Sequence, residues 1–308
     1  MVMRFAIQHG IGEPNWSPSV LDPHAMADFA RATEESGWDA LAFTDHPAPS
    51  SRWARNGGEG SAEPFGALAF CAAVTSSVRL LTSVLVLPYR NPLFTAHQIA
   101  TLDALSGGRV IIGAGTGYLR GEFHAVGADF AHRREDFDDA VAVFQDGWTV
   151  DELARAGRGY EAKGNVLQPR PLQLPRPPLW IHGNGAWGTE RAARADGWMI
   201  MMTSEQLART VRTRPARGLA AVREGIARLR EALDRAERPH TDVEIVVAGN
   251  WPLLDVRVGW DRDRYLADVA ELEELGVTWL VNAVIGDDAS ASQETARRFG
   301  EEIVRAGR

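Results

Sequence analysis

A histidine directly follows an aspartate at the end of an apolar run, and this pair can support acid–base chemistry. The run from Asp39 to Thr44 reads DALAFT, and Asp45, His46 and Pro47 come straight after it. An imidazole exchanges a proton near neutral pH, which suits a general acid or base. A turn histidine that only caps a strand gives the same pattern, so the residues alone leave both interpretations open.

Two glycine-rich segments follow other apolar runs. Gly113, Gly115 and Gly117 lie in GAGTG, and the triplet 183–185 reads Gly-Asn-Gly before a helical pattern. Glycines let a backbone approach a ligand closely, and free N–H groups at the start of a helix bind phosphate. The first segment lacks the full G-x-G-x-x-G spacing, which disfavours a dinucleotide-binding fold. The second segment also suits close strand–helix packing, so a phosphate site is one of two interpretations.

The elements that must position these residues alternate regularly along the chain. Eight short apolar runs predict strands, and amphipathic or alanine-rich segments between them predict helices. The predicted strands are 4–8, 39–44, 80–87, 110–114, 179–182, 198–202, 243–248 and 278–283, and the predicted helices are 24–36, 65–74, 94–105, 134–148, 186–195, 219–237, 264–275 and 293–306.

This alternation predicts an α/β fold, a single (β/α)₈ (TIM) barrel domain spanning residues 1–308. Two apolar strands joined by one helix form a βαβ unit, which implies a parallel sheet. Loops at about 48–63 and 117–178, rich in Pro and Gly, are predicted to cover the barrel mouth, the second as an insertion after strand 4. In such barrels the active site lies at the carboxyl ends of the strands. Asp45, His46, Thr116 and Asn184 all follow predicted strands.

Composition excludes several classes of protein. The chain has 33 basic and 41 acidic residues, a net charge of −8, which argues against a nucleic-acid partner. No apolar run approaches a membrane span or a signal peptide, so we predict no membrane association and a cytoplasmic protein. Cys71 is the single cysteine and no H-x-H or H-E-x-x-H spacing occurs, so we predict no metal site.

The segments ATLDALSGGRVIIGAGTGY and QPRPLQLPRPPLWIHGNGAWGTERAARADGWM resemble the bacterial luciferase-like family over nearly the whole chain. FTDHPAP further resembles the members of that family that use the deazaflavin coenzyme F420. The resemblance implies an oxidoreductase that transfers a hydride between F420 and a small organic substrate. FMN is the alternative cofactor, because FMN-using members share the scaffold. A homodimer is also expected by resemblance.

The resemblance assigns site residues by position. Asp45 and His46 are expected beside the cofactor ring, with His46 as the catalytic proton donor or acceptor. A non-proline cis peptide that bulges against the ring is expected at Ser83-Val84. Thr116 and Gly117 are expected at the ring edge, and the triplet Gly183, Asn184 and Gly185 is expected to hold the phosphate.

The chain departs from the family pattern at two positions. Relatives that oxidise sugar phosphates carry a glutamate directly after G-T-G, where this chain has Tyr118. Glu122 lies four residues later and does not simply inherit that role, so sugar-phosphate oxidation is disfavoured. The expected Gly-Gly-Asn turn reads His182-Gly183-Asn184, which places a bulkier residue before the phosphate-binding backbone.

Three other functions are compatible with parts of the sequence. An FMN-dependent monooxygenase would use the same scaffold with reduced flavin and oxygen. A non-catalytic flavin or deazaflavin carrier would bind the cofactor without turnover. A metal-dependent barrel hydrolase would need clustered histidines and carboxylates at strand ends, and only the pair Asp45-His46 comes close.

Overall fold

A computed structural model of the chain describes residues 2–11, 18–56, 58, 60–210, 213–249 and 253–306. Its strands are β1 Arg4–Ile11, β2 Ala40–Phe43, β3 Arg79–Val86, β4 Val110–Gly115, β5 Leu153–Gly157, β6 Tyr160–Asn165, β7 Leu179–His182, β8 Gly197–Met202, β9 Glu244–Gly249 and β10 Trp279–Ile285. Its helices are α1 Pro23–Glu35, α2 Ser51–Arg55, α3 Pro64–Val74, α4 Pro92–Ser106, α5 Arg120–Val126, α6 Arg133–Gly147, α7 Ala186–Ala192, α8 Glu205–Thr210, α9 Gly218–Arg235, α10 Arg262–Leu275 and α11 Ala289–Phe299, which continues as a π-helix over Gly300–Val304.

Eight of these strands close into a parallel barrel, in the order β1-β10-β9-β8-β7-β4-β3-β2. The predicted (β/α)₈ barrel is therefore confirmed. Strands β2 and β4 are buried at every position, as the unbroken apolar runs predict for strands covered on both faces.

The residues at the two ends of helix α4 explain where this helix begins and ends. Asn91 caps its first turn, and Gly107 ends it in the left-handed conformation with φ of 71°.

The barrel has two apolar layers. The inner layer combines alanines such as Ala6 and Ala42 with Trp180 and Trp279, whose ring centroids lie 5.1 Å apart. The outer layer packs the strands against the helices and includes Phe43, Leu80 and Ile112. Because the barrel interior is filled with side chains, ligand binding is left to the rim.

The insertion after β4 contains more structure than its sequence pattern indicates. It carries helix α5 before the predicted helix, and then an antiparallel hairpin of β5 and β6. The predicted loop over about 117–178 therefore contains an unpredicted hairpin. The sequence pattern gives no sign of it, because most side chains of its two strands are exposed and show no apolar alternation. The loop predicted at 48–63 contains the short helix α2; residues 57 and 59 lie outside the described part of the chain.

None of the helices in the described ranges has the length and apolar character needed to cross a lipid bilayer.

Candidate active site

Asp45 joins the ends of two neighbouring strands. It follows β2, and its Oδ2 accepts a hydrogen bond of 2.9 Å from the backbone N–H of Val86 in β3. The Arg90 guanidinium donates to both carboxylate oxygens, at 2.5 and 2.9 Å. Both oxygens of this buried carboxylate are therefore engaged. The geometry gives Asp45 a role in holding the β2 and β3 ends together, whereas its predicted cofactor contact stays a prediction.

His46 lies beside Asp45 with both ring nitrogens in contact with other side chains. Its Nδ1 is 3.0 Å from Oε2 of Glu122, and its Nε2 is 3.2 Å from the hydroxyl of Tyr118. The backbone N–H of His46 donates to the Ser61 hydroxyl at 2.7 Å, which fixes the start of the following loop. Only 6% of the His46 side chain is exposed. The imidazole is thus held in one orientation between an acid and a phenol.

Glu122 is a buried acid that sequence reasoning did not assign to the site. Its side chain is 0% exposed and accepts hydrogen bonds from the Tyr89 hydroxyl at 2.9 Å and from the Ala48 N–H at 3.3 Å. Burial, followed by the Glu122 charge and hydrogen bond, raises the pKa of Tyr89, so this phenol stays protonated and donates. A carboxylate this deeply buried needs such partners.

The turn into α5 brings Glu122 to His46. Gly117 has φ of 72°, which redirects the chain after β4. Leu119 then occupies the N-cap position of α5, so Glu122 falls in its first turn. Phe123, the next residue, is also fully buried. The sequence shows only an acid next to a phenylalanine a few residues after a glycine-rich segment, and this pattern does not by itself indicate a site.

Two glycines of GAGTG, Gly113 and Gly115, lie close to strand β3. A Cβ on Gly113 would lie 2.2 Å from the carbonyl oxygen of Thr82, and one on Gly115 would lie 2.9 Å from Val84 Cγ2. These glycines therefore make room for β3. Their predicted use, close approach to a ligand, was wrong for Gly113, because backbone of β3 fills that space.

Strand β3 bulges opposite these glycines. Thr82 pairs with Ile112 and Leu85 with Ala114, so Ser83 and Val84 together oppose a single residue of β4. The peptide bond between Ser83 and Val84 is cis, as the resemblance predicts. The Ser83 hydroxyl donates to Oε1 of Gln8 at 3.1 Å, and Thr116 lies half-buried just beyond β4.

The Gly183–Gly185 turn, after β7, combines a packing role and an open backbone. A Cβ on Gly183 would lie 2.9 Å from the Cα of Gly188, so Gly183 is needed for strand–helix packing. The Asn184 amide donates to the carbonyl oxygens of Met201 and Arg214, at 2.8 and 2.9 Å, and is occupied by the chain itself. Among the described residues, apart from its two chain neighbours, none has an atom within 4 Å of a Cβ built on Gly185.

Two other histidines near the strand ends differ from His46. Burial lowers the pKa of His9 to about 4, and its ring packs against Phe29 and Phe43, so it is neutral at physiological pH. The Nε2 of His182 is buried without a hydrogen-bond partner among the described residues. His46 differs from both because a carboxylate and a phenol contact its ring.

Two further observations limit where chemistry can occur. A cavity of about 330 Å³ lies at the opposite, amino-terminal end of the barrel, lined by Arg4, Arg79 and Trp279 among others. Because catalytic residues of these barrels lie at the carboxyl ends of the strands, we place the candidate site at the rim and not in this cavity.

In the part of the chain that the structure describes, no group of three or more His, Cys, Asp or Glu side chains is placed to hold a metal ion.

Comparison with known proteins decides the family. The profile of the family described as luciferase-like monooxygenase matches residues 3–251. The chain belongs to the luciferase-like monooxygenase family. The family predicted from the motifs is thereby confirmed, and the closed parallel barrel is the architecture in which the site of this luciferase-like protein is built.

Relatives of this luciferase-like chain include enzymes named for two cofactors. An F420-dependent glucose-6-phosphate dehydrogenase from Gordonia bronchialis is 29% identical over 260 residues, which cover 82% of this chain and 69% of the relative. One of the same name from Kineococcus radiotolerans is 35% identical over 182 residues, covering 58% and 52%. An FMNH(2)-dependent dimethylsulfone monooxygenase from Pseudomonas putida is 28% identical over 129 residues, covering 41% and 35%.

Solved structures share the fold. A monooxygenase from Streptomyces bottropensis superposes with a TM-score of 0.80 at 20% identity, covering 99% of both chains. The coenzyme F420 dependent tetrahydromethanopterin reductase from Methanopyrus kandleri superposes with a TM-score of 0.74 at 16% identity, covering 100% of both chains. At these identities the likeness supports the fold alone.

Proposed function

We propose that the chain is an oxidoreductase that transfers a hydride between coenzyme F420 and a small organic substrate. The observation that carries the proposal is the buried pair of His46 and Glu122 at the barrel rim, 3.0 Å apart between Nδ1 and Oε2. The relatives named as F420-dependent support the choice of cofactor. Single-domain organisation over residues 1–308, a cytoplasmic location and a homodimer belong to the same proposal.

The residues at the rim fit a deazaflavin with a phosphate-bearing side chain. The bulge at Ser83 and Val84 presents a surface for a ring, and Thr116 and Gly117 lie on the neighbouring strand end. The open backbone at Gly185 can approach a phosphate, because no other described part of the chain fills the space that a Cβ would take there. In this assignment Gly183 and Asn184 shape the phosphate-binding turn, and Asp45 positions His46 next to the ring.

The protein and the cofactor would divide the chemistry. Bound F420 supplies hydride transfer, which no amino-acid side chain performs. The chain supplies position and exclusion of water, and it holds a proton at the His46 imidazole. Glu122 keeps that imidazole oriented and stabilises its protonated form, because an opposite charge in contact favours the charged state.

A binding comparison tests the cofactor. Purified protein is titrated separately with F420 and with FMN, and the fluorescence of each is followed. We expect saturable binding of F420 and weaker binding of FMN. Preferential binding of FMN would support the FMN-dependent monooxygenase instead, for which the relative from Pseudomonas putida is the supporting observation. A non-catalytic carrier would bind F420 but would oxidise or reduce no substrate.

Glucose 6-phosphate is a poor candidate substrate despite the names of the relatives. The residue after G-T-G is Tyr118, where the resemblance expects a glutamate in sugar-phosphate dehydrogenases. The side chain of Glu122, the nearest acid along the chain, is fully buried behind His46. We therefore expect no reduction of F420 by glucose 6-phosphate, measured by absorbance. Reduction at a rate comparable to that with any other alcohol would contradict this part of the proposal.

A further inference from the structure

His46 is poorly placed to touch a substrate itself. Its side chain is 6% exposed, Nδ1 faces Glu122 and Nε2 faces the Tyr118 hydroxyl. A substrate could not reach Nε2 without displacing the phenol. Tyr118 therefore lies between the His46 Nε2 and a substrate bound at the rim. Its side chain is half-buried, in the turn after β4.

The hydrogen-bond directions around His46 follow from its partners. The Glu122 carboxylate already accepts hydrogen bonds from the Tyr89 hydroxyl and the Ala48 N–H, so it acts as an acceptor. The His46 Nδ1 must then carry a hydrogen. In the neutral imidazole Nε2 has no hydrogen and accepts from the Tyr118 hydroxyl, and in the imidazolium Nε2–H donates to the Tyr118 oxygen. Tyr118 can thus exchange a proton with His46 in either state.

We propose that Tyr118 is the catalytic residue that passes a proton between His46 and the oxygen of a carbonyl or secondary-alcohol substrate. This inference rests on the proposed function and assigns it a substrate class. A phenol that relays a proton suits an oxygen atom that gains or loses a proton as hydride moves at the adjacent carbon. In this relay Glu122 is a positioning residue, because it acts only through His46.

Trp53 adds a wall to the same site. Its ring centroid lies 5.9 Å from those of both His46 and Tyr118. A Cβ built on Gly58 would fall 2.3 Å from the Trp53 ring, so the loop backbone packs directly on the indole. The rings of Trp53 and Tyr118 thus lie next to the Tyr118 hydroxyl that would donate the proton. These rings favour a substrate with an apolar or aromatic body next to its carbonyl group.

In the reductive direction the carbonyl carbon would receive a hydride from the reduced deazaflavin as its anion, whose ring N–H proton has gone to solvent, and the C=O electron pair would move to oxygen. That oxygen takes the Tyr118 hydroxyl proton, and the Tyr118 oxygen takes the Nε2 proton of the His46 imidazolium. His46 is left neutral, with Nδ1–H still donating to Glu122, and the products are an alcohol and oxidised deazaflavin. Alcohol oxidation is the reverse.

The test compares Tyr118→Phe with a matched control. Tyr160→Phe makes the same change at a hairpin hydroxyl that bonds to Asp139 at 2.7 Å. Each protein is given reduced F420 with ketones such as acetophenone and cyclohexanone, and with cyclohexenone, whose C=C bond can be reduced instead. We expect ketone reduction by the wild type, a loss of about 10²- to 10⁴-fold in kcat for Tyr118→Phe, and unchanged kcat for Tyr160→Phe. F420 binding should be the same in all three proteins.

A second readout does not depend on turnover. Nitrogen-15 NMR of the cofactor-free protein should show His46 with its hydrogen on Nδ1, and Tyr118→Phe should move the Nε2 resonance only. An unchanged Nε2 resonance, or ketone turnover by Tyr118→Phe equal to wild type, would overturn the inference. Reduction of only the C=C bond of cyclohexenone, or F420 binding without ketone turnover, would overturn the substrate class. Failure of the wild type to bind F420 would instead contradict the proposed function.

Discussion

Replacing Glu122 by Gln removes one charge from the centre of the site while keeping its shape. The carboxylate accepts from three donors, and the longest of these hydrogen bonds is the 3.3 Å contact to the Ala48 N–H. The amide therefore loses least by placing its oxygen toward His46 and Tyr89 and its NH₂ group toward Ala48. In this orientation the tautomer of His46 is preserved, and the charge that stabilises its imidazolium is lost.

The size of the effect follows from these contacts. A hydrogen bond to a charged group contributes about 1.5–3 kcal/mol and a neutral one about 0.5–1.5 kcal/mol. Losing the charge therefore costs about 1–2 kcal/mol of stabilisation of the His46 imidazolium. We expect kcat of Glu122→Gln to fall by about 5- to 30-fold. The Ala48 N–H left without an acceptor lowers the free energy of unfolding by about 1–3 kcal/mol.

The assay separates the catalytic effect from the structural one. The rate of oxidation of reduced F420 is measured with the best acceptor from a panel of ketones and enones, and stability is measured by urea unfolding. Glu161→Gln is the control, because Glu161 is an exposed acid that pairs with Lys163 in the hairpin. We expect the control to match the wild type in both measurements. An unchanged kcat for Glu122→Gln, together with a lower free energy of unfolding, would show that Glu122 has a structural role only and that its charge does not assist catalysis.

Three further predictions concern the proton, the strand bulge and pH. His46→Ala should lower kcat by about 10²- to 10⁴-fold and change F420 affinity far less; equal turnover would remove His46 from the mechanism. Gly113→Ala should lower the free energy of unfolding by about 1–3 kcal/mol, because its Cβ would meet backbone 2.2 Å away, whereas Gly60→Ala, with no atom within 4 Å, should be neutral in the same urea titration. The lowered pKa of His9, about 4 in the folded chain against 6.5 in the unfolded one, means that the unfolded chain binds more protons between these values. Folding stability should therefore fall by up to about 3 kcal/mol from pH 6.5 to pH 4, and His9→Gln should flatten this slope in thermal melts; an equally steep slope would contradict the assignment.

Much of the fold could be predicted because the barrel strands bury both faces. Unbroken apolar runs such as that of β4, together with the capping residues Asn91 and Gly107, mark strand and helix boundaries within a few residues. The hairpin of β5 and β6 could not be found in this way. Its strands are stabilised by pairing with each other at the surface, and exposed side chains impose no apolar period.

The candidate site was only partly predictable. Asp45 and His46 directly follow an apolar run, and in a barrel fold polar residues at that position indicate the active-site rim. The contact between His46 and Glu122 joins residues 76 positions apart and depends on the turn at Gly117, so no local pattern reveals it. The glycines of GAGTG were misassigned in part, because close packing between strands and close approach to a ligand require the same residue.

A crystal structure of the protein in complex with F420 would show whether the cofactor binds at the barrel rim beside His46. We expect the deazaflavin ring to lie against the bulge at Ser83 and Val84, on the same side of the barrel as His46 and Tyr118, with its phosphate at the backbone of Gly185. A ring bound away from this rim, or a phosphate held elsewhere, would contradict the claim that the His46 and Glu122 pair serves deazaflavin chemistry.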